Sequence, residues 1–377
     1  MQLVTVVGAR PQFIKAAAVS RALAATQGSE QPIRERIVHT GQHFDAAMSD
    51  QFFAELGIPQ PAFHLGIGGG THGANTGRML EAIEQVLLAE RPDAVLVYGD
   101  TDSTLAGGLA ASKLKIPVLH VEAGLRSFNR HQPEEQNRVL TDHLAELCFA
   151  PTATAVAHLQ REGIPAERIV PSGDVMADAA RLFGEQAEAS AAQLLEALGL
   201  DSAASTVLNA GEPFVLATIH RAENTDDPAR LRAILTALAQ APLPVLLPLH
   251  PRTRRRLVEQ GLEALLEPLT ITEPLGFLAM VLLERRAALV VTDSGGVQKE
   301  AYLHGTPCVT VRSETEGVEL LEVGWNRLTD PARCDPQLLL EAITAQLQID
   351  RTQLRPQLYG DGYAAEAIVA RLQHSFG

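Results

Sequence analysis

The sequence predicts an α/β protein built from two doubly wound parallel sheets, and three observations lead to this prediction. Short apolar runs alternate with helical segments along the whole chain, which is the pattern of βαβ units. The runs are almost continuously apolar instead of alternating, as expected of parallel strands that are buried on both faces. The length of 377 residues exceeds what one ordinary core supports, so we expect two domains.

The predicted elements follow the chain in order. The strands of the first half are Leu3–Val7, Arg36–His39, Ala94–Tyr98, Val118–Val121 and Leu147–Ala150, with helices such as Thr76–Ala89 and Ser103–Lys115 between them. The strands of the second half are Phe214–Thr218, Val245–Pro248, Leu289–Thr292 and Val309–Val311, with helices such as Pro228–Gln240 and Gly295–His304. An amphipathic helix over Tyr363–Phe376 is expected to return to the first domain. We therefore predict an N-terminal domain of residues 1–172 and 363–377 and a C-terminal domain of residues 173–362.

Composition and charge narrow the functional class. Hydrophobic residues make up 46% and charged residues 20%, which is typical of a globular protein. A formal net charge of −14 argues against a nucleic-acid partner, so an anionic substrate must be met by local cations and helix N-termini. No apolar stretch approaches the roughly 20 residues that span a bilayer, and we expect no membrane partner. Three scattered cysteines (Cys148, Cys308 and Cys334) and a first strand without a basic leader predict a cytoplasmic protein with reduced thiols.

Two turns are placed to meet phosphate groups. Residues 8–15 and 292–300 each follow an apolar strand and open a helix. In the second turn, Ser294 precedes two glycines, Gly295 and Gly296, which allow the backbone to approach an anion at the helix N-terminus. Glu300 follows one turn later and can accept hydrogen bonds from a ribose diol. An ordinary N-cap with a tight turn is the alternative interpretation.

Ligands of open parallel sheets bind outside the carboxyl ends of the strands, and ionisable residues are dense there. Arg10 and Lys15 follow the first strand, although lysine side chains more often reach solvent. Asp100 ends a strand and would otherwise serve as a helix cap. Glu122 ends the next strand, where it caps nothing obvious. Carboxylates that converge on one site could divide general acid and base work between them.

A further carboxylate, Glu134, lies four residues before Arg138 on one helical face, where such a pair is usually a surface salt bridge. His220 ends a strand of the second half and could hold a phosphate or transfer a proton; a histidine tied to the backbone is the alternative. His39 and His43 have metal-like spacing but no third ligand, so we predict no metal.

The segment Gly68–Gly73 matches G-x-G-x-x-G literally. It follows no strong apolar strand, and the acidic residue downstream, Asp93, precedes a strand instead of ending one. A nicotinamide site is therefore rejected, and the sequence predicts no cofactor.

Taken together, the motifs resemble those of the non-hydrolysing UDP-N-acetylglucosamine 2-epimerases. The resemblance covers nearly the whole chain in order, and its stretches are GARPQFIK at 8–15, TGQH at 40–43, YGDTDSTLAG at 98–107, HVEAGLRS at 120–127, PEEQNR at 133–138, HRAEN at 220–224, LPLHP at 247–251, TDSGGVQKEA at 292–301 and YGDG at 359–362. This family has two Rossmann-like domains with a cleft between them, also called the glycosyltransferase-B fold. The resemblance implies a sugar-binding, catalytic N-terminal domain and a UDP-binding C-terminal domain in a homodimer.

The resemblance also implies site residues. Those that would be catalytic or hold the reacting sugar phosphate are Arg10, Lys15, Asp100, Glu122, Glu134, Arg138 and His220. Those that would contact UDP, besides Arg10, Lys15 and His220, are Arg221, Phe277, Met280, Ser294, Gly295, Gly296, Glu300 and Arg312. Many bacterial members have a second, activating UDP-sugar site that uses a glutamine where this chain has His72, and a remnant of it would comprise Gln42, His43 and His72. The chain also departs from the family at Gly317-Val318, where an Arg-Pro pair is common, and Arg312 could supply the missing cation.

Inversion at C2 of the sugar then has one plausible route. The C2 proton has no adjacent carbonyl, and oxidation would need the nicotinamide that is not expected. Breaking the C1–O bond to UDP first acidifies that proton, and a carboxylate can remove it to give a 2-acetamidoglucal and UDP. UDP then adds back after reprotonation from the other face.

Two substrates remain open: UDP-N-acetylglucosamine, which would give UDP-N-acetylmannosamine, and UDP-2,3-diacetamido-2,3-dideoxyglucuronate, whose subgroup the motifs resemble more closely. Either product would serve bacterial surface polysaccharide. A glycosyltransferase of the same fold and a hydrolysing 2-epimerase are the alternative functions.

Overall fold

The computed structural model describes residues 1–42, 53, 55–198, 211–315 and 317–376, and the chain divides into two compact units. The first unit is Met1–Leu182 with Gln357–Gly377, and the second is Phe183–Pro356. Each unit contains one all-parallel β-sheet with helices, so the predicted α/β class is confirmed.

The strands of the two sheets are short and mostly apolar. The first unit contains β1 (Gln2–Val7), β2 (Arg34–His39), β3 (Phe63–His64), β4 (Ala94–Tyr98), β5 (Val118–Val121), β6 (Leu147–Ala150) and β7 (Ile169–Pro171). The second unit contains β8 (Val215–Thr218), β9 (Val245–Pro248), β10 (Thr270–Thr272), β11 (Leu289–Thr292), β12 (Cys308–Val311) and β13 (Asn326–Thr329). Five strands have the predicted bounds: β4, β5, β6, β9 and β11.

Helices connect these strands. Those of the first unit are α1 (Arg10–Ala25), α2 (His72–Glu90), α3 (Asp102–Lys113), α4 (Pro133–Leu144), α5 (Ala153–Arg161) and most of α6 (Val175–Ala189). The second unit contains α7 (Ala191–Ala197), α8 (Ala222–Thr225), α9 (Pro228–Ala239), α10 (Pro251–Gln260), α11 (Phe277–Arg286), α12 (Gly295–His304), α13 (Val318–Glu322) and α14 (Pro336–Gln346). The last helix, α15 (Ala364–Phe376), belongs to the first unit and packs against α1. Among the helices described, none is long and apolar enough to cross a membrane.

The order of strands reverses once in each sheet. The first sheet runs β3-β2-β1-β4-β5-β6-β7 and the second runs β10-β9-β8-β11-β12-β13. After β1 the chain proceeds to one side of the sheet, and from β4 onward it proceeds to the other, so a crevice opens between the helices that follow β1 and β4. The second sheet has the same reversal between β8 and β11. Each reversal point therefore predicts where that unit binds a ligand.

Aliphatic side chains on both faces of each sheet form the cores. In the second unit, Leu231 and Leu235 of α9 and Ile343 of α14 pack on Val215 and Val291 of the sheet, and all five are buried. Each such side chain contributes about 2 kcal/mol relative to an exposed position. Burial on both faces explains why the strands lack the alternating pattern of a half-exposed sheet.

Along the chain, the two units meet at 182/183 and at 356/357. The predicted boundaries, 172/173 and 362/363, both fall inside the first unit. The reason is a set of hydrogen bonds to the returning chain. The N–H of Asp174 donates to the carbonyl of Tyr359 at 3.0 Å, and the Asp178 carboxylate accepts from the N–H groups of Ala364 and Ala365 at 3.0 and 2.7 Å. Residues 173–182 and 357–362 therefore belong with the first sheet.

Four strands were not predicted: β3, β7, β10 and β13. All four are edge strands of two to four residues: β3 and β7 flank the first sheet, and β10 and β13 flank the second. Only one residue of Asn326–Thr329 is fully buried, so the apolar signal that identified the inner strands is absent there.

The Asp178 carboxylate is expected to stabilise the last helix. Asp178→Ala leaves two N–H groups at the start of α15 without their acceptor and should lower the unfolding free energy of that helix by about 1–2 kcal/mol. Hydrogen exchange of the α15 amides measures this change. Asp361→Ala, which removes an exposed acceptor of the Tyr363 N–H, is the matched control and should change exchange less. Equal exchange in both variants would contradict the assignment.

Candidate active site

The turn that follows β1 is fixed by a buried glutamine. The side-chain oxygen of Gln12 accepts from the N–H groups of Gly8 and Ala9 at 2.8 and 3.0 Å, and its amide donates to the Tyr98 carbonyl at 2.8 Å. Gln12 thereby ties the end of β1 to the end of β4, on the two sides of the first reversal point. A side chain at Gly8 would clash with the buried hydroxyls of Thr40 and Ser103, so only glycine fits there.

Lys15 and Glu122 form an ion pair at this edge of the first sheet. The Lys15 Nζ contacts Glu122 Oε2, and the two side chains are only 13% and 12% exposed. Glu122 follows β5 with φ +70°, a left-handed conformation that a residue with a side chain adopts only when its surroundings hold it there. Gly99 lies beside the pair, since a Cβ at that position would be 3.1 Å from Glu122 Oε2.

Asp100 is paired with Arg138 instead of acting as a helix cap. One guanidinium nitrogen of Arg138 contacts Asp100 Oδ2, and another lies 3.0 Å from Glu135 Oε2. Burial acts to lower the pKa of Arg138, but three carboxylates, led by Asp100, outweigh burial and raise it. Thr101 occupies the N-cap of α3, where its hydroxyl accepts from the Thr104 N–H.

Glu134 does not take the position that the i, i+4 spacing suggested. The ion pairs of Arg138 within the described residues are with Asp100 and Glu135, and Glu134 is exposed on the first turn of α4. The neighbouring Glu135 is buried and accepts from the N–H groups of Ser127 and Phe128, both at 2.9 Å. Burial acts to raise the pKa of Glu135, yet these backbone donors hold it below its ordinary value. The structure therefore brings together Lys15, Asp100, Glu122 and Arg138.

A buried histidine lies directly under this group. His120 of β5 is fully buried, with Nε2 2.7 Å from the Gly99 carbonyl and Nδ1 2.6 Å from Asp142 Oδ1. Asp142 also contacts Arg126, whose guanidinium makes a bidentate pair with Glu162.

Two members of the predicted effector-site remnant meet at the N-terminus of α3. The Gln42 side-chain oxygen accepts from the N–H and hydroxyl of Ser103 at 3.0 and 2.6 Å. His72 Nδ1 lies 2.9 Å from Asp102 Oδ2, and the His72 side chain is exposed. The third member, His43, lies outside the described residues.

In the second unit, Asp293 organises the end of β8. Its carboxylate accepts from the backbone N–H groups of His220 and Arg221 at 3.0–3.1 Å and from the Asn224 amide at 3.0 Å. The His220 ring lies 3.3 Å from Asp293 through Nδ1 and is 40% exposed. The carboxylate orients the ring and leaves a face of it open to a ligand. Asp293 and His220 lie on opposite sides of the second reversal point.

The helix that follows β11 begins as predicted. Ser294 is the N-cap of α12 and accepts from the Val297 N–H, while Gly295 and Gly296 form its first turn. A Cβ at Gly296 would lie 3.9 Å from the Ser294 hydroxyl and near no other side chain or backbone atom of the described residues outside its own helix, so protein atoms do not fill the space beside this turn. Glu300 is half-buried one turn further in, and its charge adds to burial in raising the pKa of Glu284.

The remaining predicted residues occupy varied environments. Arg10 is exposed as the first residue of α1, and Arg312 is buried after β12. Phe277 is 8% exposed and packs edge to face on Phe183, at 5.2 Å between ring centres. Met280, three residues on, is half-buried against a core cluster of the second unit. Phe277 thus contributes to packing at the start of α11.

Sequence reasoning missed the supporting residues Gln12, Asp293 and His120. A glutamine at the third position of a helix is a capping signal, which could have identified Gln12. Asp293 directly precedes the N-cap Ser294, and its position alone does not distinguish it from a capping residue. No local pattern reveals His120, because its partners lie 21 and 22 residues away in the chain.

Comparison with known proteins shows similarity over the full length. The family model described as UDP-N-acetylglucosamine 2-epimerase matches residues 26–373. The UDP-2,3-diacetamido-2,3-dideoxy-D-glucuronate 2-epimerase of Pseudomonas aeruginosa is 49% identical over 99% of both chains. The UDP-GlcNAc 2-epimerase of Methanocaldococcus jannaschii, solved with UDP-GlcNAc and UDP, is 41% identical with a TM-score of 0.82 over both whole chains. That of Neisseria meningitidis, bound to UDP-GlcNAc, is 30% identical with a TM-score of 0.85, also over both whole chains. These matches confirm the resemblance found in the sequence.

Removal of the Asp293 carboxylate should destabilise the second unit strongly. Asp293→Ala leaves two backbone N–H groups and the Asn224 amide without an acceptor in a buried place, and we expect a loss of about 3 kcal/mol of unfolding free energy. Urea unfolding followed by circular dichroism measures this loss. Asp227→Ala, which removes the exposed N-cap of α9, is the control and should lose about 1 kcal/mol. A smaller loss for Asp293→Ala than for Asp227→Ala would contradict the organising role.

Proposed function

This chain belongs to the UDP-N-acetylglucosamine 2-epimerase family, and from that premise we propose that it inverts C2 of a UDP-linked 2-acetamido sugar. The observation that carries the proposal is the grouping of Asp100 and Glu122, each against a cation, beside the reversal point of the first sheet. Inversion of a carbon needs a proton acceptor on one face and a proton donor on the other. Two carboxylates on neighbouring strand ends meet that need.

We propose that the reaction begins by breaking the bond between C1 and the UDP oxygen. The electron pair of that bond leaves with UDP, C1 gains oxocarbenium character, and the C2 proton becomes acidic. A carboxylate takes this proton in an anti elimination, which gives a 2-acetamidoglucal and UDP. Delivery of a proton to the opposite face of C2 and return of the UDP oxygen to C1 complete the inversion. Each carboxylate acts as base in one direction and as acid in the other.

The cations have distinct tasks in this proposal. Lys15 contacts Glu122 and Arg138 contacts Asp100, and each cation is proposed to orient the carboxylate that takes up or delivers a proton. Arg10, exposed at the first turn of α1, is proposed to contact the sugar phosphate. Glu134, exposed on α4, is a third acid–base candidate, whose contribution the variants below can separate from those of Asp100 and Glu122.

The second unit is proposed to hold UDP. The open N-terminus of α12 at Gly295 and Gly296 offers backbone N–H groups to a phosphate, and the helix dipole favours its charge. His220, held by Asp293, is positioned to stabilise the departing diphosphate, with Arg221 and Arg312 as further cations. Glu300 is proposed to bind the ribose hydroxyls, and Met280, with Phe277 behind it, to contact the base.

For the sugar we propose a 2,3-diacetamido-2,3-dideoxyglucuronate as first candidate and N-acetylglucosamine as second. The 49% identity to the Pseudomonas aeruginosa enzyme supports the first, and the 41% identity to the Methanocaldococcus jannaschii enzyme supports the second. The motifs that resemble the first subgroup include residues 220–228 and 296–301. We further propose a cytoplasmic homodimer that supplies surface polysaccharide precursors, as the family resemblance implies; light scattering tests the dimer.

The central test is NMR of the protein with each UDP-sugar in heavy water. We expect deuterium at C2 and the appearance of the C2 epimer, because the proton that returns comes from a carboxylate in exchange with solvent. Accumulation of free UDP would identify a hydrolysing enzyme instead. No reaction without an added acceptor would favour a glycosyltransferase. Faster turnover of UDP-N-acetylglucosamine than of the diacetamido acid would reverse the order of the two substrates.

Neutralising the carboxylates should abolish turnover without unfolding the protein. Asp100→Asn and Glu122→Gln are each expected to lower kcat by about a hundredfold to ten-thousandfold, since each removes one proton-transfer group. Asp227→Asn, an exposed cap in the second unit, is the matched control and should leave kcat unchanged. Full turnover in Asp100→Asn, Glu122→Gln and Glu134→Gln alike would rule out carboxylate catalysis.

A further inference from the structure

We propose that His120 is held as a doubly protonated imidazolium that fixes the Gly99 carbonyl and favours the anionic form of the site carboxylate that accepts the proton. His120 is thus a positioning residue, since it reaches the reacting groups through Gly99 and not by touching substrate. The consequence for turnover rests on the function proposed above. The charge state of the ring does not depend on that function and can be measured separately.

Both partners of the His120 ring are hydrogen-bond acceptors. The Gly99 carbonyl, 2.7 Å from Nε2, can only accept, so Nε2 carries a hydrogen. The Asp142 carboxylate, 2.6 Å from Nδ1, accepts as long as it is ionised, and Nδ1 then carries a hydrogen as well. A ring with hydrogens on both nitrogens is charged. Because the ring is fully buried, water cannot replace either partner.

Asp142 is held in the ionised form by its other partners. Its second oxygen accepts from the Gly124 N–H at 3.0 Å and lies 2.7 Å from an Arg126 nitrogen. Burial acts to raise the pKa of Asp142, but His120 and Arg126 outweigh it and the pKa is lowered. Arg126 is itself 1% exposed and is matched on its outer side by Glu162. A neutral Asp142 would leave Arg126 with one buried anion fewer, which is unfavourable.

The ring is separated from the reactive ion pair by a single peptide. Gly99 has φ +63°, its N–H donates to the Val121 carbonyl, and its carbonyl receives the His120 hydrogen bond. A Cβ at Gly99 would lie 3.1 Å from Glu122 and 3.4 Å from Lys15 Nζ. The backbone that carries Asp100 starts at this peptide. The orientation of Asp100 therefore depends on the His120 hydrogen bond, and Glu122 packs against the same glycine.

Other charged groups around the ring come from several elements. Helix α4 contributes Asp142, the turn after β5 contributes Arg126, and Cys148 lies opposite His120 on β6. Burial raises the pKa of Cys148 to about 12, so this thiol is neutral near pH 7. At the strand ends lie Asp100, Glu122 and Lys15. The His120 ring is consequently a buried cation on β5, and its positive charge favours the ionised form of a carboxylate at these strand ends.

Two variants separate the position of the ring from its charge. His120→Gln keeps a donor able to reach the Gly99 carbonyl but removes the charge. Asp142→Asn keeps the ring and lets Nδ1 accept from the new amide, which leaves the histidine neutral. Cys148→Ala is the matched control, because it loosens the same buried strand pair without changing any charge.

The decisive kinetic measurement is the pH profile of kcat. In His120→Gln the acidic limb should move to higher pH by about half a unit or more, since a carboxylate that loses a nearby cation binds its proton more tightly. In Asp142→Asn the cation and its paired anion are lost together, so the limb should move in the same direction by less, because the ring bonded to Gly99 is nearer to the site than Asp142 is. We expect kcat to fall about tenfold to a hundredfold with little change in KM. Cys148→Ala should lower thermal stability and leave the profile in place. An unmoved acidic limb in folded His120→Gln and Asp142→Asn would overturn the proposal.

The charge state is read directly by ¹⁵N NMR of the histidine-labelled full-length protein. Because both of its partners are acceptors, His120 should carry a hydrogen on each ring nitrogen in the folded protein at neutral pH, and the signal is assigned by its loss in His120→Gln or its change in Asp142→Asn. A neutral ring under these conditions would overturn the proposal even if epimerase activity is found. A charged ring in a protein that turns over neither UDP-sugar would uphold the charge and refute the proposed function. If His120→Gln does not fold, Asp142→Asn alone decides both measurements.

Discussion

A parallel strand that is buried on both faces can carry charged side chains only at its ends, and this constraint determines where chemistry is possible in the chain. The inner strands of both sheets are apolar almost throughout, and the ionisable residues follow directly after them. The reversal of strand order then selects which ends diverge enough to admit a ligand. Lys15 and Asp100 flank one such point, and His220 and Ser294 flank the other.

A charged residue at such a point needs buried polar groups beneath it that fix its conformation. The structure supplies such groups: Gln12 under the turn after β1, His120 under Gly99, and Asp293 under His220. Each spans two strands that are distant in sequence. Without these buried groups the charged residues at the strand ends would adopt several conformations, and nothing would hold Glu122 in its left-handed backbone conformation.

Much of the fold follows from the sequence, since buried parallel strands leave a strong apolar signal. Inner strands such as Val118–Val121 have the predicted bounds, whereas the edge strand Asn326–Thr329, of the same length, is too polar to be recognised. At the site, strand-end positions predicted Glu122 and Asp100 as candidates, but their pairing with Lys15 and Arg138 depends on contacts 107 and 38 residues apart. The spacing of Glu134 and Arg138 was misleading because the helix turns Glu135 toward the loop at 127–128. Local sequence patterns predict which strand ends carry charged residues. Which of these residues form ion pairs depends on the order of the strands in the folded sheet.

The hydrogen bonds that Asp178 accepts at the N-terminus of α15 have a consequence for biosynthesis. The helix that completes the first unit is encoded after the whole of the second, so the first sheet is synthesised in full long before its last covering helix. At about 5–20 residues per second, the delay is roughly ten to thirty-five seconds. During that time the surface of α1 that α15 later covers is accessible to chaperones.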